Sequence, residues 1–217
     1  MTESIRKTLI ALERNNMRAV FAENAEDVQI AVRNLIFEGC TIAAGGSVTV
    51  KETGVWDIIN EPKYNFADRN RDGITPEERQ EVFRSVIGCD YYFCSANAIT
   101  ENGELINVDG FANRISAIAF GPKNVIVIAG INKIVRDIDE GFLRIKKIAA
   151  PKNCVRLGIN NPCAKLGHCV SLEKSDNPAM TDGCACERRI CRNYLVSGMQ
   201  GTKNRITVIL CNENLGY

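Results

Sequence analysis

The sequence has no surplus of either charge: Lys+Arg 27 stands against Asp+Glu 26, a formal charge of +1. Nucleic-acid proteins carry a basic excess or stripe, so that class is excluded. Long apolar runs are missing too. The longest, Val125 to Ala129, is far too short to span a bilayer. The first residues alternate charged and apolar groups and never form the apolar stretch of a secretory signal. A cytoplasmic protein with reduced thiols is therefore expected. There is no internal repeat, no Walker pattern, no GxGxxG and no CxxC knuckle. A nucleotide triphosphate, a dinucleotide or an obvious zinc finger is thus not implied.

What the chain does have is 10 cysteines in 217 residues. Five fall between Cys163 and Cys191, in a segment poor in apolar residues that cannot fold by burial alone. Soft thiolates suit zinc or iron–sulfur clusters, and a bound metal would supply the missing folding energy. His168, the only histidine, lies beside Cys169. The bland alternative is a group of free thiols packed as small hydrophobes. That role suits Cys40, Cys89, Cys94, Cys154 and Cys211, of which Cys40, Cys94 and Cys211 lie in or beside expected strands.

Helical and strand periodicities alternate. Helices are expected at the N-terminus with Thr2 as cap, over 25–37, over 48–59, from Pro76 to about Ile87, over 112–119, and over 136–149 with Pro151 ending it. Strands are expected at 19–21, 41–44, 91–95, 105–108, 124–129 and 206–210. This order predicts an α/β domain over 1–150 with a mainly parallel sheet covered on both faces. An irregular Cys-rich appendage over 151–200 follows, and a last strand in 201–217 rejoins the sheet.

Three polar constellations sit after expected strands, where α/β sheets bind ligands. Gly45-Gly46-Ser47 opens a helix whose N-terminus could receive an anion; a plain capped turn is the alternative. A run containing Asn97, Glu101, Asn102, Gly103, Glu104, Asp109, Asn113 and Arg114 offers Glu101 and Glu104 as acid, base or nucleophile. An Asn-Gly turn with solvated carboxylates is its alternative. Lys133 follows the most buried strand and could hold a phosphate or carboxylate. The run Asp68 to Gly73 imitates half of an EF-hand loop, but Arg79 stands where the bidentate Glu is required. A turn before a capped helix is expected there instead.

Several long segments carry a family resemblance. GGSVTVKETG (45–54), YNFADRNRDG (64–73), SANAITENGELINVDGFANRISAIAFGPK (95–123), VIAGINKIV (127–135), AAPKN (149–153) and ILCNENLGY (209–217) resemble the LUD-domain, or lactate-utilisation, proteins. The resemblance implies a fold like the phosphosugar-isomerase and CoA-transferase superfamily. It also implies that Gly46, Ser47, Glu101, Asn102, Gly103 and Lys133 line one cleft for a 2-hydroxy acid, sugar phosphate or CoA-like anion. The family tail reads Pro-Cys, then cysteines after gaps of five, two and six residues. Pro162-Cys163, Cys169, Cys184 and Cys191 match it, with extra residues between Cys169 and Cys184 and with Cys186 left over. An iron–sulfur cluster of the 4Fe-4S kind on these four thiols is implied, with zinc as the alternative. The implied role is a component of lactate oxidation beside redox partner proteins. Rival readings are a stand-alone isomerase or acyl-transfer enzyme using Glu101 or Glu104 with a structural zinc tail, and a non-catalytic metal-dependent assembly or regulatory protein. Self-association into a homo-oligomer is left open.

Overall fold

A computed structural model describes residues 1–217. Six parallel strands form the central sheet in the order β1 (Arg18–Ala22), β10 (Ile206–Cys211), β7 (Asn124–Gly130), β4 (Tyr91–Cys94), β2 (Thr41–Ala44) and β3 (Asn65–Phe66). The apolar runs of β7 and β10 pack on both faces. Val125, Val127, Ala129, Val208 and Leu210 point one way, and Ile126, Ile128 and Ile209 the other. Each buried Val or Ile contributes roughly 1.5–3 kcal/mol.

The face holding Ile126 is covered by α2 (Ala25–Leu35), α3 (Val48–Glu52) and α4 (Val55–Ile59) through Val28, Val32, Val50, Val55 and Ile58. The opposite face carries α1 (Glu3–Arg14) and α6 (Asn113–Ala119) through Ile5, Leu12, Ala117 and Ile118. The three-layer α/β expectation holds. The Thr2 cap and the capping box at Thr75 that opens α5 (Pro76–Ser85) are present.

A second, four-stranded sheet packs on the α1 side: β8 (Ile134–Val135), β5 (Ala98–Thr100), β6 (Leu105–Asp109) and β9 (Asn193–Ser197). The pattern reading misses β5 and β9. β5 has three residues, and β9 is hidden in the Cys-rich segment, yet pairs with β6 along its whole length. Residues 48–59 are two short helices rather than one, divided at Gly54, whose φ is +70°.

Pro151 does not end its helix. α7 (Ile138–Arg144) passes through a π segment (Ile145–Ala149) into α8 (Ala150–Arg156), with Pro151 in its first turn. In the π segment Ala150 N–H reaches Ile145 O. The next such bond would run from Pro151 to Lys146 O, and proline has no N–H to give. Lys146 O accepts from Cys169 N–H instead, at 2.9 Å. The proline thus frees a carbonyl that pins the Cys-rich segment to the domain, and the expected boundary at 150/151 falls inside a continuous helical run.

Candidate functional site

A cleft of about 940 Å³ opens at the carboxyl edge of the parallel sheet. The turn after β2 supplies Gly45, Gly46 and Ser47; the end of β4 leads into Ser95 and Asn97; the turn after β7 supplies Lys133. Asp109, Asn113 and Arg114 also line it. Eight of the ten expected ligand-binding residues therefore meet in one place.

Glu101, Asn102, Gly103 and Glu104 do not line the cleft. The unforeseen strand β5 starts beside the cleft at Asn97 and carries the chain away, so the turn after it lands on α1. Glu101 accepts from Ser4 Oγ at 2.7 Å and pairs with Lys7 Nζ at 2.8 Å. The Lys7 contact foremost, then Ser4, holds its carboxyl below the usual range. Glu104 bonds Thr100 Oγ1. Asn15 Nδ2 donates to the carbonyls of Asn102 and Gly103, each at 3.0 Å. Gly103 has φ +80°, and a Cβ there would come within 2.6 Å of the Ala11 backbone. This turn packs a helix. The expected pairing of Glu101 with Lys133 in one cleft is corrected accordingly. The helix after Ser47 has only five residues, too few for the expected anion-binding N-terminus, and Ser47 Oγ caps it by accepting from Val50 N at 3.2 Å.

The cleft's positive charge comes largely from residues that pattern reading passed over. Arg69, Arg79, Arg156, Arg188, Arg189 and Arg192 join Arg114 and Lys133, against only Asp109 and Glu187. The single ion pair among them is Arg114 with Asp109, at 2.9 Å. Arg114 also donates to Ser95 O, Val108 O and Asn97 Oδ1, so it braces β4, β5 and β6 instead of waiting for a ligand. Arg69 lies in the EF-hand look-alike, which is a turn as expected; Asp68 Oδ1 accepts from Asn70 N there. Arg69 stacks on Phe83, 5.3 Å from the ring centre. One Arg69 terminal nitrogen lies 3.0 Å, and one of Arg156 3.8 Å, from the place a Gly46 Cβ would occupy. Two guanidiniums thus converge over a residue that has no side chain. Burial and then the neighbouring Arg156 charge lower the Arg69 pKa, with Tyr92 acting the other way.

Lys133 is only 2% exposed. Its Nζ donates to Thr49 Oγ1 and Ser95 Oγ, both at 2.8 Å. No carboxylate pairs with it. Burial first, then the Arg144 and Arg114 charges, push its pKa down to about 7. Arg144, itself buried, is held by the carbonyls of Asn132 and Asn97.

The second feature is a small, mostly apolar cavity lined by Cys163, Cys169, Cys184 and Cys191, with Phe142, Ile145, Ala150, Val170, Met180 and Tyr194 as walls and Lys146 and Asp182 as its polar members. All four implied ligands face it, and Cys186 does not. Cys163 Sγ lies 3.7 Å from Cys154 Sγ, so Cys154 is a buried neighbour of the cavity. Burial first, then Cys154, pushes the Cys163 thiol up to about 12. Arg189 Nε donates to Cys191 Sγ at 3.2 Å, and Ser171 Oγ to Cys169 Sγ at 3.3 Å.

No three metal-binding side chains stand close enough together to grip one ion. A tetrahedral zinc needs its sulfurs about 3.8 Å apart all round. Thiols spread over a cavity wall suit a group several atoms across. The free space between them is about 20 Å³, one water's worth, so such a group seats only as the 163–191 segment moves outward. Donor chemistry and convergence fit a cluster on those terms. Residues 184–192 form a wall common to both features: Cys184 and Cys191 face the cavity, while Glu187, Arg188, Arg189 and Arg192 face the cleft.

The comparisons agree with this architecture. The LUD domain family model matches residues 5–211, and the chain belongs to that family. The structure is similar to the crystal structure of a DUF162 family protein from Deinococcus radiodurans. The TM-score is 0.50 at 12% identity, covering 97% of both chains. That likeness supports the fold alone. No curated protein matches the chain. No helix is long and apolar enough to cross a membrane.

Proposed function

We propose that this chain is a cytoplasmic component of 2-hydroxy-acid oxidation, lactate being the type substrate. The cleft holds the acid and the Cys-rich segment holds an iron–sulfur cluster that exchanges electrons with a partner protein. The observation that carries the reading is the common wall, which sets a four-thiol cavity beside a cleft whose arginines, Arg114 apart, have no carboxylate partner. When bound, the cluster would supply one-electron transfer, and the acceptor of the hydride in this two-electron oxidation would lie with the partner protein. The chain's own groups bind and position. Arg69 holds the substrate carboxylate, and Arg156, anchored through Nε and Nη2 to Asn153 Oδ1 at 3.0 and 2.8 Å, adds its charge beside it. The apolar walls around the thiols exclude water. The brace from Asp109 through Arg114 fixes the strand ends beneath the ligand.

The isomerase or acyl-transfer reading loses its chemistry here, because Glu101 and Glu104 lie outside the cleft and are engaged with α1 and Thr100. Purification without oxygen followed by iron and acid-labile sulfide assay tests the proposal. Brown protein whose broad visible absorption bleaches with dithionite is expected; a colourless sample holding stoichiometric zinc would overturn it.

A further inference from the structure

The deepest group in the cleft has no part in holding a cluster, and as a fixed cation it is poorly placed. Lys133 is buried, has no carboxylate partner, and sits with other cations. Its hydrogen bonds show what it is arranged for. Thr49 Oγ1 also contacts Leu215 O at 3.5 Å, and Ser95 Oγ contacts Ala96 O at 3.5 Å. With their protons directed at those carbonyls, both hydroxyls present lone pairs to Nζ. Two of the three positions on Nζ are thereby used by N–H donation. In a neutral amine the third is a lone pair, free to attack.

The surroundings keep it neutral. The charged groups around Nζ are Arg144 and Arg114, which disfavour the ammonium, and Glu52 and Cys94, which favour it weakly. Glu52 is engaged elsewhere, accepting from Gly216 N at 2.6 Å. Cys94 lies in the sheet with its thiol pushed up to about 12 by burial, so it offers no negative charge near neutrality. Its pKa, lowered to about 7 by burial first and then by the Arg144 and Arg114 charges, makes the neutral amine of Lys133 far more accessible near neutrality than in a solvent lysine. A desolvated lysine in a pocket is the usual source of an imine-forming amine.

We propose that Lys133 is a carbonyl-reactive catalytic residue, whose amine condenses with the ketone of a small 2-keto acid held through its carboxylate by Arg69, with the Arg156 charge beside it. The Nζ lone pair bonds to C2 while the C=O π pair moves to oxygen. Both Nζ protons pass in turn to that oxygen, the first giving the carbinolamine and the second letting the oxygen leave as water, so that a neutral imine links C2 to Lys133. Amine plus ketone gives imine plus water, with no change in oxidation state and no cofactor. This rests on the cleft being the organic site of the proposed function, and it does not depend on the cluster.

The test is trapping. Protein treated to remove iron, and in parallel protein as isolated, is incubated at pH 7 with pyruvate and cyanoborohydride, and adducts are mapped by peptide mass spectrometry. The expected result is a reduced pyruvyl adduct at Lys133, at least ~10-fold above that at any other lysine, in both samples. Lactate with cyanoborohydride should label nothing. Lys133→Arg should lose the adduct, and mapping on the natural chain keeps the result decisive if that variant does not fold. Arg69→Gln should slow labelling at Lys133 alone. Adducts spread evenly over surface lysines, with Lys133 unmodified, would overturn the assignment. That failure would leave iron and sulfide content untouched, so it is distinguishable from failure of the redox reading.

Discussion

The arginine cleft and the thiol cavity are neighbours built on opposite principles. The cleft stands at the ends of β2, β4 and β7, whose backbone ladders fix its floor before any ligand arrives. It is open, polar and rich in like charge. The cavity is small, mostly apolar and made from loops and single turns such as α9 (Pro162–Leu166), with no ladder of its own. The sheet is stable without a ligand, so it can carry unsatisfied cations. The tail buries little apolar surface of its own and is tied to the domain by the Cys169–Lys146 bond and by β9. The two meet on one segment, 184–192, which gives Arg188 and Arg192 to the cleft and Cys184 and Cys191 to the cavity.

That contrast can be broken in order of effect. Cys184→Ser combined with Cys191→Ser should abolish bound iron, while the sheet still melts in one cooperative transition by circular dichroism. If the sheet unfolds as well, the two regions are not independent. Next, Phe93→Ala, in the middle of β4 and fully buried, should lower unfolding free energy by about 3–5 kcal/mol in denaturant titration. Cleft and cavity should be lost together.

A third effect is in pH. Folded Lys133 loses its proton near pH 7, whereas an unfolded lysine keeps it to about 10.4. In that window the unfolded chain binds more protons, so this group makes stability rise with pH, by up to ~1 kcal/mol per pH unit. The stability difference between the natural chain and Lys133→Met should therefore climb from pH 7 to 9. A flat difference would mean the amine is charged in the fold. Fourth, Arg69→Gln should weaken anion-induced thermal stabilisation by ~10-fold in apparent affinity, ~1.4 kcal/mol, with a melting point at or above that of the natural chain because repulsion against Arg156 is relieved. Smallest of all, Glu101→Gln should leave anion binding and keto-acid trapping unchanged, since its partners are Ser4 and Lys7.

The sequence made the scaffold readable and the charge hard to see. The strands that became β1, β2, β4, β7 and β10 are apolar runs, and α1 and α5 carry their caps in plain view. Gly45, Gly46, Ser47 and Lys133 were found because they follow such runs. β5 escaped because three residues are too few for a pattern, and its omission placed Glu101 in the wrong region. Arg69, Arg156, Arg188 and Arg192 escaped for a different reason. They come from three places far apart in the chain, near residues 69, 156 and 188–192, and a net charge of +1 averages them away. Local excess is a property of the fold, which brings them together and leaves the acidic residues elsewhere. The convergence of the four cysteines was legible only through the family resemblance, and nothing in their spacing showed Cys154 beside Cys163.

The position of β10 bears on how the molecule is made. The last strand of the sheet lies between β1 and β7, pairing Arg18 with Thr207 and Val125 with Ile206. Until residue 211 has left the ribosome, the first strand has no neighbour on that side and the edge of β7 is bare. Such long-range parallel pairing makes for slow closure and an exposed edge during synthesis. The thiol segment lies just ahead of β10 in the chain, so it emerges before the sheet closes. The Cys-rich segment and the strand that completes the sheet are thus neighbours in order of synthesis, and a ribosome-bound chain ending before β10 should expose β7 to chaperones.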